Sequence, residues 1–198
     1  NMQDAEKLAE EMVKIGSLAG RNTIAVISDM DEPLGLAVGN ALEVAEAVKT
    51  LKKEGPEDLV NLCLELGTQM LIASKVEENA DKARGMLQNS IDDGSAYNKF
   101  LEFIKRQGGD ITVFDDLDEF TECNYKIEVK ADKEGYVQRI ESELIGEASM
   151  ILGGGRMTEE DVIDYSVGVK LSSIDSSKTL FSEFHKVSVS ALAENGSK

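Results

Sequence analysis

The sequence predicts an α/β fold, with a partial parallel or mixed sheet and helices, followed by a small α+β C-terminal domain. Helical patterns flank a short, continuously apolar run at residues 24–27, which is typical of a buried strand in a parallel sheet. Beyond an acidic connector at residues 110–124 the pattern changes, and alternating polar and apolar residues predict short strands. We therefore predict two domains, residues 1–115 and 122–198.

Apolar spacing and capping residues predict the first three helices. Apolar residues recur at helical spacing over residues 5–16, directly before the predicted strand. Asn40 can cap the second helix, because Glu43 follows at the spacing of a capping box. Pro56 fits the first turn of the third helix, and Glu57 and Asp58 after it suit the helix dipole. The apolar residues 59–72 predict that this third helix is largely buried.

The remaining elements follow in order along the chain. Residues 78–109 predict two amphipathic helices that join near residues 92–94. The second domain is predicted to contain a β-hairpin with its turn at 133–135, a helix that ends at three glycines, and two further strands. These elements span residues 125–142, 143–155, 163–171 and 185–192.

Composition and charge argue against several classes of protein. The 198 residues include 38 acidic and 21 basic side chains, which gives a formal net charge of −17. Such a surface repels nucleic acid and anionic membranes, so we expect neither as a partner. No apolar run approaches the ~20 residues that cross a bilayer, and we find no signal peptide. Cys63, predicted to be a buried thiol, and Cys123 support neither a disulfide framework nor a zinc site, so we expect a cytoplasmic protein.

The loop at residues 28–40 is the best candidate for a functional site in this chain. It follows the predicted strand directly, and ligands of open α/β sheets bind at the carboxyl ends of strands. Asp29, Asp31 and Glu32 could bind a divalent ion through their oxygens. The alternative is a solvated acidic turn in which Asp29 caps the local backbone, and the loose spacing favours this second interpretation.

Two glycines and one acid near this loop also have alternative interpretations. Gly35 and Gly39 precede a helix N-terminus, which suits an anion, but no Lys or Arg is near them. Close packing of the backbone is the favoured role of these glycines. On the residues alone, Glu46 is predicted to be an exposed acid, paired with Lys49 or Lys53.

The residues taken by themselves provide no catalytic machinery. His185, the only histidine, has no evident acid or nucleophile partner for a Ser-His-Asp arrangement. The glycines at residues 153–155 lack the strand and helix of a phosphate loop, so they are predicted to end a helix. No activated nucleophile, paired general acid and base, or basic cradle can be recognised.

Three motifs resemble a known family. The pattern "DMDEPLGLAVGNALEV", followed by "EGPEDL", is similar to the corresponding part of bacterial pyrimidine-nucleoside phosphorylases and their thymidine phosphorylase relatives. The blocks "DAEKLAEEMVKIGSLAGR" and "ILGGGRMTEEDVIDYSVGV" agree in the same order, so the resemblance spans residues 4–171. It implies the conversion of a pyrimidine nucleoside and phosphate into the free base and a pentose 1-phosphate, without an organic cofactor. Uridine, thymidine and AMP specificities are not distinguished by this region.

The resemblance also implies which site residues this chain carries. The family's phosphate- and base-binding residues precede the block that begins at Asp4, so we expect no catalytic residue here. Part of a site for a monovalent cation, potassium, carries over: the backbone carbonyls of Leu34 and Ala37 and the carboxylate of Glu46. Neutral carbonyls and one carboxylate are hard oxygen ligands that suit an alkali ion.

The remaining expectations concern the complete enzyme. The resemblance implies a homodimer formed through an N-terminal domain that this chain lacks, with pyrimidine nucleoside and phosphate as substrates. We therefore expect a C-terminal fragment that is inactive alone. The alternative is a non-catalytic cation- or subunit-binding module that complements a separate N-terminal polypeptide. Residues 172–198 depart from the family pattern, so the resemblance implies no role for His185.

Overall fold

The computed structural model describes residues 2–129, 137 and 139–171, and the backbone of residues 189–192. The helices predicted from apolar periodicity are all confirmed, and a one-turn helix, α6, is added in the acidic connector. The helices are α1 Met2–Leu18, α2 Asn40–Leu51, α3 Glu57–Ala73, α4 Ala80–Asp92, α5 Ser95–Arg106, α6 Leu117–Phe120 and α7 Ser142–Ser149. A 3-10 turn, Thr112–Phe114, precedes α6, and α7 continues into a π-helical turn, Met150–Gly154.

Four short strands form one antiparallel sheet in the described part of the chain. They are β1 Ala37–Val38, β2 Lys126–Val129, β3 Gly168–Leu171 and β4 Val189–Leu192, in the spatial order β1-β3-β4-β2. The strands predicted within residues 163–171 and 185–192 are therefore confirmed. Because β1 pairs with β3, both predicted domains contribute to the same sheet. The domain boundary itself stays a prediction.

The predicted hairpin at residues 125–142 is only partly correct. Its first arm forms β2, but this strand pairs with β4, and residues 137 and 139–140 are not in a strand. The predicted turn at 133–135 lies outside the described residues. Pairing with β4 joins β2 to a four-stranded sheet, whereas an isolated two-stranded hairpin is only marginally stable.

The parallel strand predicted at residues 24–27 is wrong. Residues 21–30 contain no regular secondary structure, and Ile24, Val26 and Ile27 are 43%, 37% and 42% exposed. A buried strand needs neighbours for its backbone hydrogen bonds, and the described residues offer this run none. All described strand pairs are antiparallel. The predicted combination of helices with a sheet is therefore confirmed, whereas the predicted parallel strand pairing is not found among the described strands.

Helix α3 is less buried than its sequence predicts. Only Leu64 and Thr68 are buried, Met70 is 67% exposed, and Cys63 is exposed rather than buried. One face of α3 packs on α4, where Leu87 contacts the helix at Gly67. Apolar residues on its other sides are only partly buried or exposed. Both cysteines are free thiols.

Two groups of packed side chains hold α2, apart from the residues buried between α3 and α4. Val167, Val169 and Leu171 of the β3 region are each 1% exposed, beside Ala37 and Leu42. On the other side, the rings of Phe100, Phe114 and Phe120 form a cluster that connects α5 to the acidic connector. Among the described residues, none of the helices combines the length and the apolar character needed to span a membrane.

Candidate functional site

The loop of residues 34–39 lies between the N-terminal residues and α2, and its backbone is held by acidic side chains. Three carboxylates accept hydrogen bonds from backbone N–H groups of this loop. The pairs, at N···O distances of 2.8–2.9 Å, are Asp58 with Gly35, Glu46 with Leu36, and Glu43 with Gly39. Glu43 and Glu46 lie on α2, and Asp58 lies in the first turn of α3. The loop is therefore fixed to two helices.

The carboxyl of Glu46 has a perturbed pKa. Burial raises the pKa of its carboxyl above the usual 4.5, and the N–H groups of Leu36 and Ala37 oppose that rise. The nearby negative charges of Asp58 and Glu43 raise the pKa further. A half-buried carboxylate with two acidic neighbours favours any bound cation.

The prediction that Glu46 is an exposed acid paired with lysine is wrong. Its carboxylate faces the 34–39 loop, and within the described residues it forms no ion pair with Lys49 or Lys53. Lys53 instead donates from Nζ to the carbonyl of Asp92 at 3.1 Å. The hydrogen bonds to the loop draw Glu46 inward, away from the solvent-exposed side of α2.

The pairing of β1 with β3 defines the direction of the Ala37 carbonyl. Leu171 donates its N–H to the Leu36 carbonyl at 2.7 Å, and Ala37 is opposite Lys170. Positions alternate along an antiparallel pair, so Ala37 occupies a position that is not hydrogen-bonded to β3. Its N–H and C=O groups therefore face away from β3, on the edge where the Glu46 carboxylate lies.

Gly35 is required for the close approach of Glu46 to the loop. Its φ of +69° lies in the left-handed region, which glycine adopts without strain. A Cβ at this position would collide with Oε2 of Glu46. The peptide between Leu34 and Gly35 is trans, so the Leu34 carbonyl points away from Asp58, which binds the N–H on the other side of that peptide.

The prediction that these glycines allow close packing of the backbone is confirmed at Gly39. A Cβ there would lie 2.6 Å from the Val167 carbonyl oxygen and 2.7 Å from the Gly168 Cα, and its φ is +142°. The adjacent helix N-terminus is also closed from within, because Ala41 donates its N–H to the carbonyl of Tyr165 at 3.1 Å. An anion would have to compete with that internal acceptor.

The prediction that Asn40 caps α2 is wrong. The N-cap is Gly39, and Asn40 is already the first helical residue. Its Nδ2 donates to the carbonyl of Gly154 at 3.0 Å, across 114 residues of sequence. This contact satisfies a carbonyl at the end of α7, where Gly153 has a φ of +107° and the helix stops as predicted. The Asn40 side chain therefore binds a distant backbone carbonyl instead of capping its own helix.

The conspicuous acids before this loop form a local turn. Asp29 accepts the N–H of Asp31 at 2.9 Å, which is the backbone cap expected from the solvated-turn interpretation. In the described part of the chain no three His, Cys, Asp or Glu side chains are grouped as a metal site would require. His185 lies outside the described residues.

A cavity of about 390 Å³ opens beside Glu46. It lies between α2, the sheet edge and the acidic connector. Both signs of charge line it, with Lys49 and Lys170 facing the same space as Glu46 and Asp118. The site is therefore open to a small ion or to another segment of protein.

Comparison with known proteins identifies the chain. The profile described as "Glycosyl transferase family, a/b domain" matches residues 1–97, and "Pyrimidine nucleoside phosphorylase C-terminal domain" matches residues 136–174. Curated pyrimidine-nucleoside phosphorylases of Staphylococcus aureus, from strains RF122 / ET3-1 and USA300, are 52% identical over 171 residues. The chain belongs to the pyrimidine-nucleoside phosphorylase family. The match covers 86% of this chain and 40% of each relative.

Segments that match the two different profiles meet at the candidate site. The 34–39 loop, α2 and Asp58 lie in the part that matches the a/b domain, whereas β3 lies in the part that matches the C-terminal domain. The phosphorylase resemblance drawn from the three motifs is confirmed.

Sequence reasoning missed two acids of this candidate site. Glu43 was assigned to a capping box with Asn40, and Asp58 to the dipole of α3. The capping-box spacing was a partial signal for Glu43, which does return to the start of α2, where it accepts the Gly39 N–H. For Asp58 the partner is 23 residues away, and no local pattern indicates it.

Proposed function

We propose that this chain is part of a pyrimidine-nucleoside phosphorylase, a pentosyltransferase that uses phosphate to release the base from a pyrimidine nucleoside. The observation that carries this proposal is the 52% identity over 171 residues to proteins of that name. Membership of a glycosyltransferase family agrees with transfer of a pentosyl group to phosphate.

The reaction is a displacement at the anomeric carbon, with phosphate as the nucleophile and the pyrimidine base as the leaving group. Its transition state has oxocarbenium character, so an enzyme accelerates it by orienting the two substrates and by stabilising charge on the departing base. This chain contributes to that orientation through the carboxylates that hold the 34–39 loop in place. The residues that contact phosphate and base belong to the rest of the enzyme, so this chain is inactive alone.

Potassium is the cofactor that fits the loop. The ligands from this chain are the carbonyls of Leu34 and Ala37 and the carboxylate of Glu46. Three observations support this set: Glu46 is half-buried, it has no ion pair within the described residues, and the Ala37 carbonyl faces the same sheet edge. A bound potassium ion supplies a fixed positive charge that links this loop to the phosphate-binding segment.

The proposal is tested by the phosphorolysis of uridine and thymidine. The full-length gene product that contains this chain and the 198-residue chain itself are incubated with each nucleoside, with and without phosphate, and the free base is measured by chromatography. The expected result is phosphate-dependent release of base by the full-length protein and none by the chain. Absence of phosphorolysis by the full-length protein overturns the assigned reaction, and turnover by the chain overturns its inactivity.

A second candidate function is a non-catalytic module that binds a separate N-terminal polypeptide. The observation that favours it is α1, which has no buried residue and exposes Leu8, Met12 and Ile15. Co-purification from the native source distinguishes the candidates. A separate polypeptide that restores phosphorolysis when mixed with this chain supports the module, whereas one continuous polypeptide supports the first proposal.

The homodimer and the cytoplasmic location remain part of the first proposal. The dimer derives from the family resemblance and the location from the isolated cysteines, and the acidic surface of the chain agrees with a soluble enzyme. Size-exclusion chromatography with light scattering of the full-length protein tests the dimer.

A further inference from the structure

We propose that Asp58 is a positioning residue of the cation site, which orients the Leu34 carbonyl by holding the peptide between Leu34 and Gly35. This inference rests on the proposed potassium site. Asp58 is not a ligand in this scheme. It acts through the backbone of the loop.

The hydrogen bond that carries the inference is specific in direction. Oδ2 of Asp58 accepts the Gly35 N–H at 2.8 Å, from a residue 23 positions further along the chain. The C=O and N–H of a trans peptide point in opposite directions, so fixing the Gly35 N–H fixes the Leu34 carbonyl as well. Gly35 itself restrains the orientation of this peptide little, because glycine has no Cβ and tolerates many conformations.

The position of Asp58 makes it a firm anchor. It is the second residue of α3, two positions after the N-cap Pro56, whose ring fixes the backbone at the start of the helix. A carboxylate on a helix terminus holds its partner more precisely than one on a loop would. The remainder of the loop is fixed independently, by Glu46 at Leu36 and by the β1–β3 pairing. Only the Leu34 peptide depends on Asp58.

Asp58 also contributes charge to the site. It lies close enough to Glu46 to raise the pKa of that carboxyl, so its negative potential reaches the proposed cation. Glu57, its neighbour, is an acid in the same helical turn, and no hydrogen bond or ion pair of its side chain is found among the described residues. Glu57 is therefore a matched control for the general effect of an acid at this helix N-terminus.

The test uses the full-length gene product and measures thermal unfolding, which reports potassium binding without an activity assay. The melting temperature is recorded against KCl concentration, with choline chloride added to keep the ionic strength constant, for wild type, Asp58→Ala, Asp58→Asn and Glu57→Gln. The expected result is a half-saturating potassium concentration raised roughly 10-fold by Asp58→Ala, because residues that orient metal ligands affect affinity by about that factor or more. Asp58→Asn retains an acceptor and should fall between wild type and Asp58→Ala, and Glu57→Gln should match wild type.

The outcomes separate the inference from the proposal beneath it. If the wild type shows no stabilisation specific to potassium, the cation site is wrong and the role of Asp58 falls with it. If the wild type responds and Asp58→Ala has the same half-saturating concentration, the cation site stands and the positioning role is wrong. A melting temperature lowered equally at every KCl concentration identifies Asp58 as merely structural and also overturns the inference. If Asp58→Ala does not fold, the comparison uses Asp58→Asn. Equal half-saturating potassium concentrations for Asp58→Asn and wild type then overturn the positioning role.

Discussion

The carboxylate of Glu46 accepts the backbone N–H of Leu36 at 2.9 Å, so a side chain of α2 holds the loop that precedes that helix. The same carboxylate accepts the N–H of Ala37. Glu46 therefore has a structural role even without a bound ion, and its two roles can be measured separately.

Replacing Glu46 by alanine should lower stability and weaken the response to potassium. The change leaves two backbone N–H groups without their acceptor, which costs roughly 1–3 kcal/mol in the free energy of unfolding. Urea denaturation in choline chloride measures this structural cost, and the potassium dependence of phosphorolysis by the full-length protein measures the cation role. Glu10→Ala, on an exposed face of α1, is the control and should change neither. An unchanged potassium dependence in Glu46→Ala removes Glu46 from the cation site.

Alanine substitutions at two glycines should have opposite signs. Gly39→Ala forces a Cβ to within 2.6 Å of the Val167 carbonyl at a φ of +142°, so we expect a loss of about 2 kcal/mol or more. Gly85 lies inside α4 with open space around it, so Gly85→Ala should raise stability by roughly 0.5–1 kcal/mol. Chemical denaturation of each variant measures these changes in the free energy of unfolding. A Gly39→Ala protein as stable as wild type would contradict the close packing of this loop on residues 167–168.

Lys75 offers a gain in stability. It follows the end of α3 with a φ of +59°, a left-handed conformation that costs an L-residue about 1 kcal/mol. Lys75→Gly should therefore stabilise the chain by roughly that amount, seen as a higher melting temperature. Lys53 has a similar φ of +69°, but its Nζ donates to the Asp92 carbonyl, so Lys53→Gly should gain less. Equal gains at the two positions would show that the Lys53 contact contributes nothing.

Asp161 should titrate at lower pH than an ordinary aspartate. The N–H groups of Thr158 and Met157 stabilise its charged form and lower its pKa below the usual 3.8. Its contribution to stability is therefore present above pH 3.8 and is lost as the pH falls through the lowered pKa. Carboxyl NMR titration of the chain measures the pKa directly, and Asp161→Asn should remove that part of the acid destabilisation. A measured pKa at or above 3.8 would contradict the two hydrogen bonds.

Local patterns were sufficient for the helices but not for the parallel strand. The periodicity over residues 59–72 predicts α3 correctly, since a helix satisfies its own backbone. Residues 24–27 have the composition of a buried strand, yet a strand forms only where a neighbour accepts its hydrogen bonds. The burial of α3 was overestimated for a related reason, because apolar residues such as Met70 are buried only if another element covers them.

In the candidate site, too, local contacts could be predicted from the sequence and tertiary contacts could not. The solvated turn at Asp29 was predictable because its partner, Asp31, is two residues away. The inward orientation of Glu46 was not, since the burial that perturbs it arises from tertiary packing of the loop on α2. The motif resemblance singled out Leu34, Ala37 and Glu46 as cation ligands, and that assignment stays a prediction. Asp58 could not be assigned from spacing, because only the fold brings it to Gly35.

The hydrogen bond from Asn40 to Gly154 has a consequence for biosynthesis. A ribosome adds residues in order, so the Asn40 side chain emerges long before its acceptor, 114 positions later, has been translated. The β1–β3 ladder needs Leu171 as well. The turn before α2 therefore acquires its final shape only after residue 171 has been translated. Premature termination before residue 171 would leave this turn unformed while most helices could already fold.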